Sequence, residues 1–281
     1  MRRIILACAA LLCLACAGVA TAATVGGTSS NNGYMANFKF SGGAKKNVGI
    51  TMTESLGSTP PTGFGRPYPL ADILTTLYGV SAPYAKYFPK CTVAMINDAG
   101  GSGKWNSICP KGSLVAKGTV GSSLGDSTAN DPTLSNAGNP CNLSLWVYNA
   151  GPGKLAYFFT VSSSTACMGL NTGAAAAYPG TAVEKGHSLV NNVPEEADIS
   201  FNAGGAGLWG PLLTETLTWN GKVKVKGKTY SYLVSTGCKG KSRPWSVSYT
   251  GTDYTGTNAA PTSDVTTNLL TPVTVSGKAS C

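Results

Sequence analysis

Charged residues make up only 12% of this 281-residue chain, and it holds a single histidine, His187. Beyond residue 22 no two cysteines stand in CxxC spacing, so a cysteine–histidine zinc site has no ligand set to draw on there. EF-hand and glycine-rich calcium-repeat spacings are missing too. Beyond the first 19 residues no apolar run reaches membrane-spanning length. No internal repeat stands out, nor any helical pattern longer than two turns. No cofactor and no metal is therefore expected.

What is present begins with an address. Arg2 and Arg3 precede an apolar run from Ile4 to Val19, and Ala20-Thr21-Ala22 follows as a small-x-small cleavage site. Residues 1–22 read as a signal peptide cleaved after Ala22, with Ala23 as the alternative. Cys13 occupies the position where a lipoprotein signal ending at Cys16 would carry an aliphatic residue, which argues against lipidation. Removing 22 of 281 residues leaves 259, and takes Cys8, Cys13 and Cys16 with them. The formal charge falls from +9 to +7 with loss of the two arginines.

Six cysteines remain: Cys91, Cys109, Cys141, Cys167, Cys238 and Cys281. An even count in an exported chain reads as a disulfide framework. Of about 15 pairings open to six cysteines, the sequential one closes short local loops and is the expectation. Each bridge should stabilise the fold by roughly 3–4 kcal/mol through loss of unfolded-chain entropy.

The pattern along the chain is that of strands. Met35 to Phe40 alternates at period two, and Val48 to Met52 is a second short stretch. Leu70 to Val80 has helical spacing at Leu70, Ile73, Leu74 and Leu77, but Thr75-Thr76 and the closing Gly79 favour a strand and turn. Phe88 to Val120 reads as a disulfide-stapled loop feeding a strand that starts near Ser113. Asn142 to Ser162 reads as a β-hairpin around Ala150-Gly151-Pro152-Gly153. Its second strand is apolar on both faces, as in a central strand covered on both sides. Further strands are expected over 197–201, 212–219, 222–225, 230–235 and 245–250, with weak alternation from Val265 to Val275. Together these predict an all-β, antiparallel, disulfide-stapled sandwich, jelly-roll-like or as two packed sub-sandwiches. The exported domain spans 23–281. An alternative division is 34–162 and 195–281, with the Ala/Gly/Ser/Asn-rich 163–194 as a linker.

Two motifs carry a resemblance. Phe88-Pro89-Lys90-Cys91, then Cys109-Pro110, Ser113, Val115 and Gly118-Thr119, resembles a pattern in uncharacterised exported cysteine-containing β proteins of high-GC actinobacteria. Ser235-Thr236-Gly237-Cys238 followed by Trp245 is similar to the C-terminal part of the same group. The group usually carries glycine where this chain has Ala116. The resemblance covers about half the mature chain. It implies secretion and structural cysteines, and no catalytic residue.

Four constellations could carry chemistry. Lys222, Lys224, Lys226, Lys228, Lys239, Lys241 and Arg243 place seven of the 21 basic residues within 22 positions without one acid. In a strand, Lys222, Lys224 and Lys226 would share a face opposite Val223 and Val225. Such a strip could hold an anionic cell-wall polymer or glycan. An edge strand guarded by lysines is the plainer reading. Nucleic acid is not expected, given secretion and the lack of a recognition motif.

Glu215 shares its face with Leu213, Leu217 and Trp219, where a carboxylate is costly unless paired or in a cleft. A raised pKa there would suit a general acid of a jelly-roll glycoside hydrolase. A rim position beside a lysine is the plainer reading. His187 with Glu184, Glu195, Glu196 and Asp198 could serve as a base or ligand cluster, against a solvated loop histidine. Trp146 and Trp219, with Tyr148, Tyr157, Phe159, Tyr230, Tyr232, Trp245 and Tyr249, would be a sugar-stacking platform if exposed and simple core if buried. The functional expectation is an exported cell-envelope or extracellular structural or binding protein with no catalytic site. The alternative is a secreted carbohydrate-active enzyme or glycan-binding module.

Overall fold

A computed structural model describes residues 25–26, 33–62, 65, 67–99, 105–124, 139–161, 167, 173–194, 201–203, 206–208, 211–251 and 269–281. The proposed leader and Glu195, Glu196 and Asp198 lie outside them. In chain order the strands are β1 (Val25–Gly26), β2 (Gly33–Ser41), β3 (Thr51–Thr59), β4 (Leu70–Tyr78), β5 (Val80–Ser81) and β6 (Leu114–Leu124). Then follow β7 (Asn139–Gly151), β8 (Lys154–Val161), β9 (Gly173–Lys185), β10 (Ser188–Pro194), β11 (Phe201–Ala203) and β12 (Ala206–Leu208). The last are β13 (Leu212–Trp219), β14 (Lys222–Val225), β15 (Lys228–Ser231), β16 (Val234–Ser235), β17 (Ser242–Gly251) and β18 (Val273–Ser280). Two short helices, α1 (Val93–Asp98) and α2 (Trp105–Ile108), interrupt the first half.

The chain is mostly antiparallel β, as its period-two pattern predicts. In place of a sandwich it forms one 12-stranded sheet ordered β1-β2-β3-β13-β6-β7-β8-β9-β10-β4-β17-β18. The eleven strands from β2 to β18 curl until β18 lies beside β2, making a nearly closed barrel. Tyr34 of β2 and Tyr249 of β17 stack at 4.7 Å across this seam, and the Tyr249 hydroxyl donates to the Met35 carbonyl at 2.7 Å. Curling removes the open edges that a flat sheet of this width would expose.

The candidate halves interleave in this sheet. β13 pairs with both β3 and β6, and β17 pairs with β4. The stretch 163–194, linker-like in composition, supplies β9 and β10 to the same sheet. Gly118 of β6 faces β13 so closely that a Cβ there would stand 1.9 Å from the Thr216 carbonyl oxygen. Only glycine permits that approach.

Burial follows the alternation. Inward side chains of β2, β3, β13, β7, β8, β4, β17 and β18 meet in one core that includes Phe38, Met52, Leu145, Tyr157, Leu217, Trp219, Val247 and Val275. Outward positions read Thr51, Thr53 and Ser55 on β3, Thr214, Thr216 and Thr218 on β13, and Ser246, Ser248 and Thr250 on β17. That is the reverse of the apolar outer band of a membrane-spanning barrel. No helix among the described residues is long and apolar enough to cross a membrane.

β8 is buried on both faces from Leu155 to Val161, as its composition predicts. Its outer face is covered by a second cluster, in which Ile96 and Cys91 pack on Tyr148, Ala156, Phe158 and Ala177. Burying Phe158 here is worth about 1.5–3 kcal/mol. Helix α1 is capped by Thr92, whose hydroxyl accepts from the Met95 amide at 3.2 Å. It docks through Asn97, which bonds both the amide (2.7 Å) and the carbonyl (3.1 Å) of Ala177.

The disulfides are Cys91–Cys109, Cys141–Cys167 and Cys238–Cys281, the sequential pairing, closing separations of 18, 26 and 43 residues. The Cys91–Cys109 bridge encloses both short helices and packs with α1 over β8 before the chain enters β6, rather than closing the simple loop the sequence suggested.

Candidate functional site

The inward face of β3 and β13 carries two carboxylates. Glu215 sits opposite Leu56 and Glu54 opposite Leu217, so the two acids are diagonal neighbours on adjacent strands. Such positions lie about 7–8 Å apart between backbones. Both are buried, at 2% exposure for Glu54 and 8% for Glu215. Glu215 is thus inside the barrel and not on a rim. A register irregularity between Leu212 and Thr214 turns Leu212 inward, so Leu212, and not Leu213, is the fully buried residue beside that face.

Trp219, a candidate sugar platform, is also interior, at 2% exposure. Its indole N–H donates to Glu54 Oε1 at 3.0 Å, and its ring stacks with Tyr232 at 6.2 Å. Among the described residues, Glu54 Oε2 and the Tyr232 hydroxyl have no hydrogen-bond partner. Burial pushes the Glu54 carboxyl up to about 7, with the Trp219 bond holding it back in part. The same burial, reinforced by Glu54 and Glu215, raises the Tyr157 and Tyr249 hydroxyls well above the usual tyrosine range. Tyr157 donates to Asn191 Oδ1 at 2.9 Å. Two acids and three tyrosines therefore share a packed interior. As chemistry, this is a proton-holding cluster sealed from bulk water.

The lysine strip divides. Lys222 and Lys224 lie on β14, which pairs with β15 as a separate two-stranded hairpin outside the main sheet. Lys226 is not in the strand. With Gly227 it forms the two-residue turn, at φ 48° and 80°, the doubly left-handed geometry of a primed hairpin turn. Val223 faces Tyr230 and Val225 faces Lys228 across the ladder. Lys228 therefore shares a face with Tyr230, while Lys222 and Lys224 project from the opposite face.

On the Tyr230 side the hairpin meets a 3-10 turn, Ala85–Tyr87, that follows Pro83. Three residues per turn eclipse positions i and i+3, which stacks Tyr84 on Tyr87 at 5.9 Å. Tyr230 closes a triangle, 5.0 Å from Tyr84 and 4.6 Å from Tyr87. Tyr87 is 38% exposed and the other two are half-buried. Lys86 Nζ stands 5.3 Å from the Tyr87 ring centre and Lys228 Nζ 5.3 Å from that of Tyr230. The turn is anchored from below. Asn149, fully buried at the end of β7, directs its amide nitrogen to the carbonyls of Ala85 (3.2 Å), Phe88 (3.1 Å) and Pro89 (3.2 Å).

Sequence reasoning missed Tyr84, Tyr87, Lys86 and Asn149. The available signal was the spacing of Tyr84 and Tyr87 by three after Pro83. Of the strand aromatics, Tyr148, Tyr157, Phe159, Tyr232, Trp245 and Tyr249 are core. Trp146 is half-buried and faces outward, under Lys117 Nζ at 4.1 Å, with its N–H on Thr160 Oγ1 at 3.3 Å. His187 is exposed in the β9–β10 turn, and Glu184 accepts the Ala82 amide at 2.9 Å. No group of three or more potential metal ligands occurs among the described residues.

No protein-family profile, curated protein or solved structure matches the chain.

Proposed function

We propose that this chain is an exported cell-envelope or extracellular protein that acts by binding rather than catalysis. The observation that carries the reading is where its chemistry lies. The acids and most strand aromatics belong to a packed barrel interior, while aromatic rings and lysine ammonium groups meet at one barrel end. Three disulfides, a Ser/Thr-rich outer surface and the leader-like residues 1–22 support export. So does the resemblance to exported actinobacterial proteins.

The test is retention of the purified mature protein on isolated cell-wall material and on soluble envelope glycans, with released reducing ends measured in parallel. Retention without sugar release is expected. Failure to be retained on any of these materials would overturn the reading.

A secreted carbohydrate-active enzyme is the second reading. The Glu54–Glu215 pair favours it, because glycoside hydrolysis uses two carboxyl groups and one with a pKa near 7 suits a general acid. Release of reducing sugar that disappears in both Glu54→Gln and Glu215→Gln would establish it in place of the first.

A further inference from the structure

We propose that Tyr84, Tyr87 and Tyr230, with Lys86 and Lys228, form a binding site for an acidic polysaccharide, the sugar rings stacking on tyrosine and the carboxylates meeting the two ammonium groups. The proposal rests on the extracellular-binding reading above and names its site and ligand class.

Three features of the site converge on that ligand. The rings are preorganised: the 3-10 turn fixes Tyr84 against Tyr87, and the hairpin ladder fixes Tyr230 against both. A partly exposed tyrosine cluster offers flat apolar faces with polar tips, which suits the alternating C–H and hydroxyl surface of a pyranose. Each lysine then holds its ammonium beside a ring, so a carboxylate paired with Lys86 or Lys228 places its own sugar at Tyr87 or Tyr230. A polymer with charge but no ring would use the lysines and leave the tyrosines idle. A neutral glycan would do the reverse.

The hairpin supplies its own control. Lys222 and Lys224 carry the same charge on the opposite face, away from the tyrosines. Long-range attraction to a polyanion treats the two lysine pairs alike, whereas a site does not.

Binding of the mature protein is measured by calorimetry with polygalacturonate, with polyphosphate, a neutral glucan and oligothymidylate in comparison. Polygalacturonate should bind tightest. Tyr87→Ala should weaken it by at least about fivefold, with an unchanged thermal midpoint, and Tyr87→Phe should retain it. Lys86→Gln/Lys228→Gln should weaken it by about tenfold and flatten its salt dependence, while Lys222→Gln/Lys224→Gln stays within about twofold. Equal losses from the two lysine pairs overturn the proposal, as does an unchanged affinity in Tyr87→Ala. Tighter binding of oligothymidylate or polyphosphate overturns it as well. Loss of polygalacturonate binding alone, with the protein still retained on cell-wall material, rejects this ligand and leaves the binding reading standing. Loss of both rejects the two together.

Discussion

Replacing Glu54 by glutamine should remove a loss of stability that the protein undergoes as pH rises toward neutrality. Glu54 is 2% exposed, one carboxylate oxygen accepts from Trp219, and the other has no partner among the described residues. The fold therefore favours the protonated acid, with a pKa of about 7 against 4.5 in the unfolded chain. Between those values the unfolded chain gives up its proton while the folded one keeps it. Stability contributed by the proton is complete below about pH 4.5 and is lost as pH rises through 7. At about 1.36 kcal/mol per pH unit, the loss across that window is about 3 kcal/mol. Glutamine retains an acceptor for the Trp219 N–H and never ionises. Its stability relative to wild type should therefore rise by about 3 kcal/mol from pH 4.5 to pH 8, a change of roughly 6–12 °C in relative melting temperature. Urea unfolding of both proteins at half-unit pH intervals reads this difference, and titrations elsewhere in the chain cancel. A difference that stays constant with pH would refute the buried-acid account. A difference that falls with rising pH would mean that the fold stabilises the Glu54 carboxylate instead.

Further outcomes follow from the same structure. Free-thiol titration of unreduced mature protein should find none, and Cys141→Ala/Cys167→Ala, which opens the 26-residue separation, should lower unfolding free energy by about 3–4 kcal/mol in denaturant melts. Asn149→Ala removes the donor shared by three carbonyls of the 85–89 turn and should cost about 2–3 kcal/mol; hydrogen exchange at the Tyr87 and Phe88 amides, which close that turn, should accelerate more than exchange in β8.

Local patterns carried far in this chain, and long-range ones did not. The hairpin over 142–162 was legible because strand alternation and the Gly151-Pro152-Gly153 turn agree, and it forms with Leu143 opposite Val161. The strand at Leu70 to Tyr78 was legible because β-branched Thr75 and Thr76 outweigh a helical spacing of leucines. The sequential disulfides followed from loop length. The barrel was not legible, because nothing local in Leu212 to Trp219 says that it inserts between strands begun at Thr51 and Leu114. Glu54 escaped notice for the same reason. It sits among Thr53, Ser55 and Ser58, a polar stretch whose inward face appears only once β13 lies beside it. The strand 173–185 was hidden by composition, since Ala177 gives no β signal yet suits close packing under α1. The strand over 222–225 was legible, but the turn at Lys226 was not, because lysine gives little hint of a left-handed turn position.

The position of the tyrosine cluster follows from how the barrel is closed. Residues 79–91 and 220–240 both cross the same end. β5 pairs with β16 there, the Tyr232 amide bonds the Gly221 carbonyl, and Phe88 meets Tyr232 edge-on at 5.4 Å. These segments send Val80, Ala85, Phe88, Tyr232 and Leu233 into the barrel core. A chain that must bury one side of such a cap presents the other side to solvent, and in a 3-10 turn of period three that other side recurs at Tyr84 and Tyr87. Ala85 and Phe88, also spaced by three, are the buried counterpart. The stacked exposed tyrosines are thus held by the same spacing that seals the barrel. Two disulfides, Cys91–Cys109 and Cys238–Cys281, pin the two crossing segments near their C-terminal ends. Rigid support beneath a surface of rings and cations lowers the ordering cost of binding. The cap is thus the natural seat of the proposed binding surface, while the Glu54 carboxyl in the barrel interior makes the stability of the barrel beneath it depend on pH.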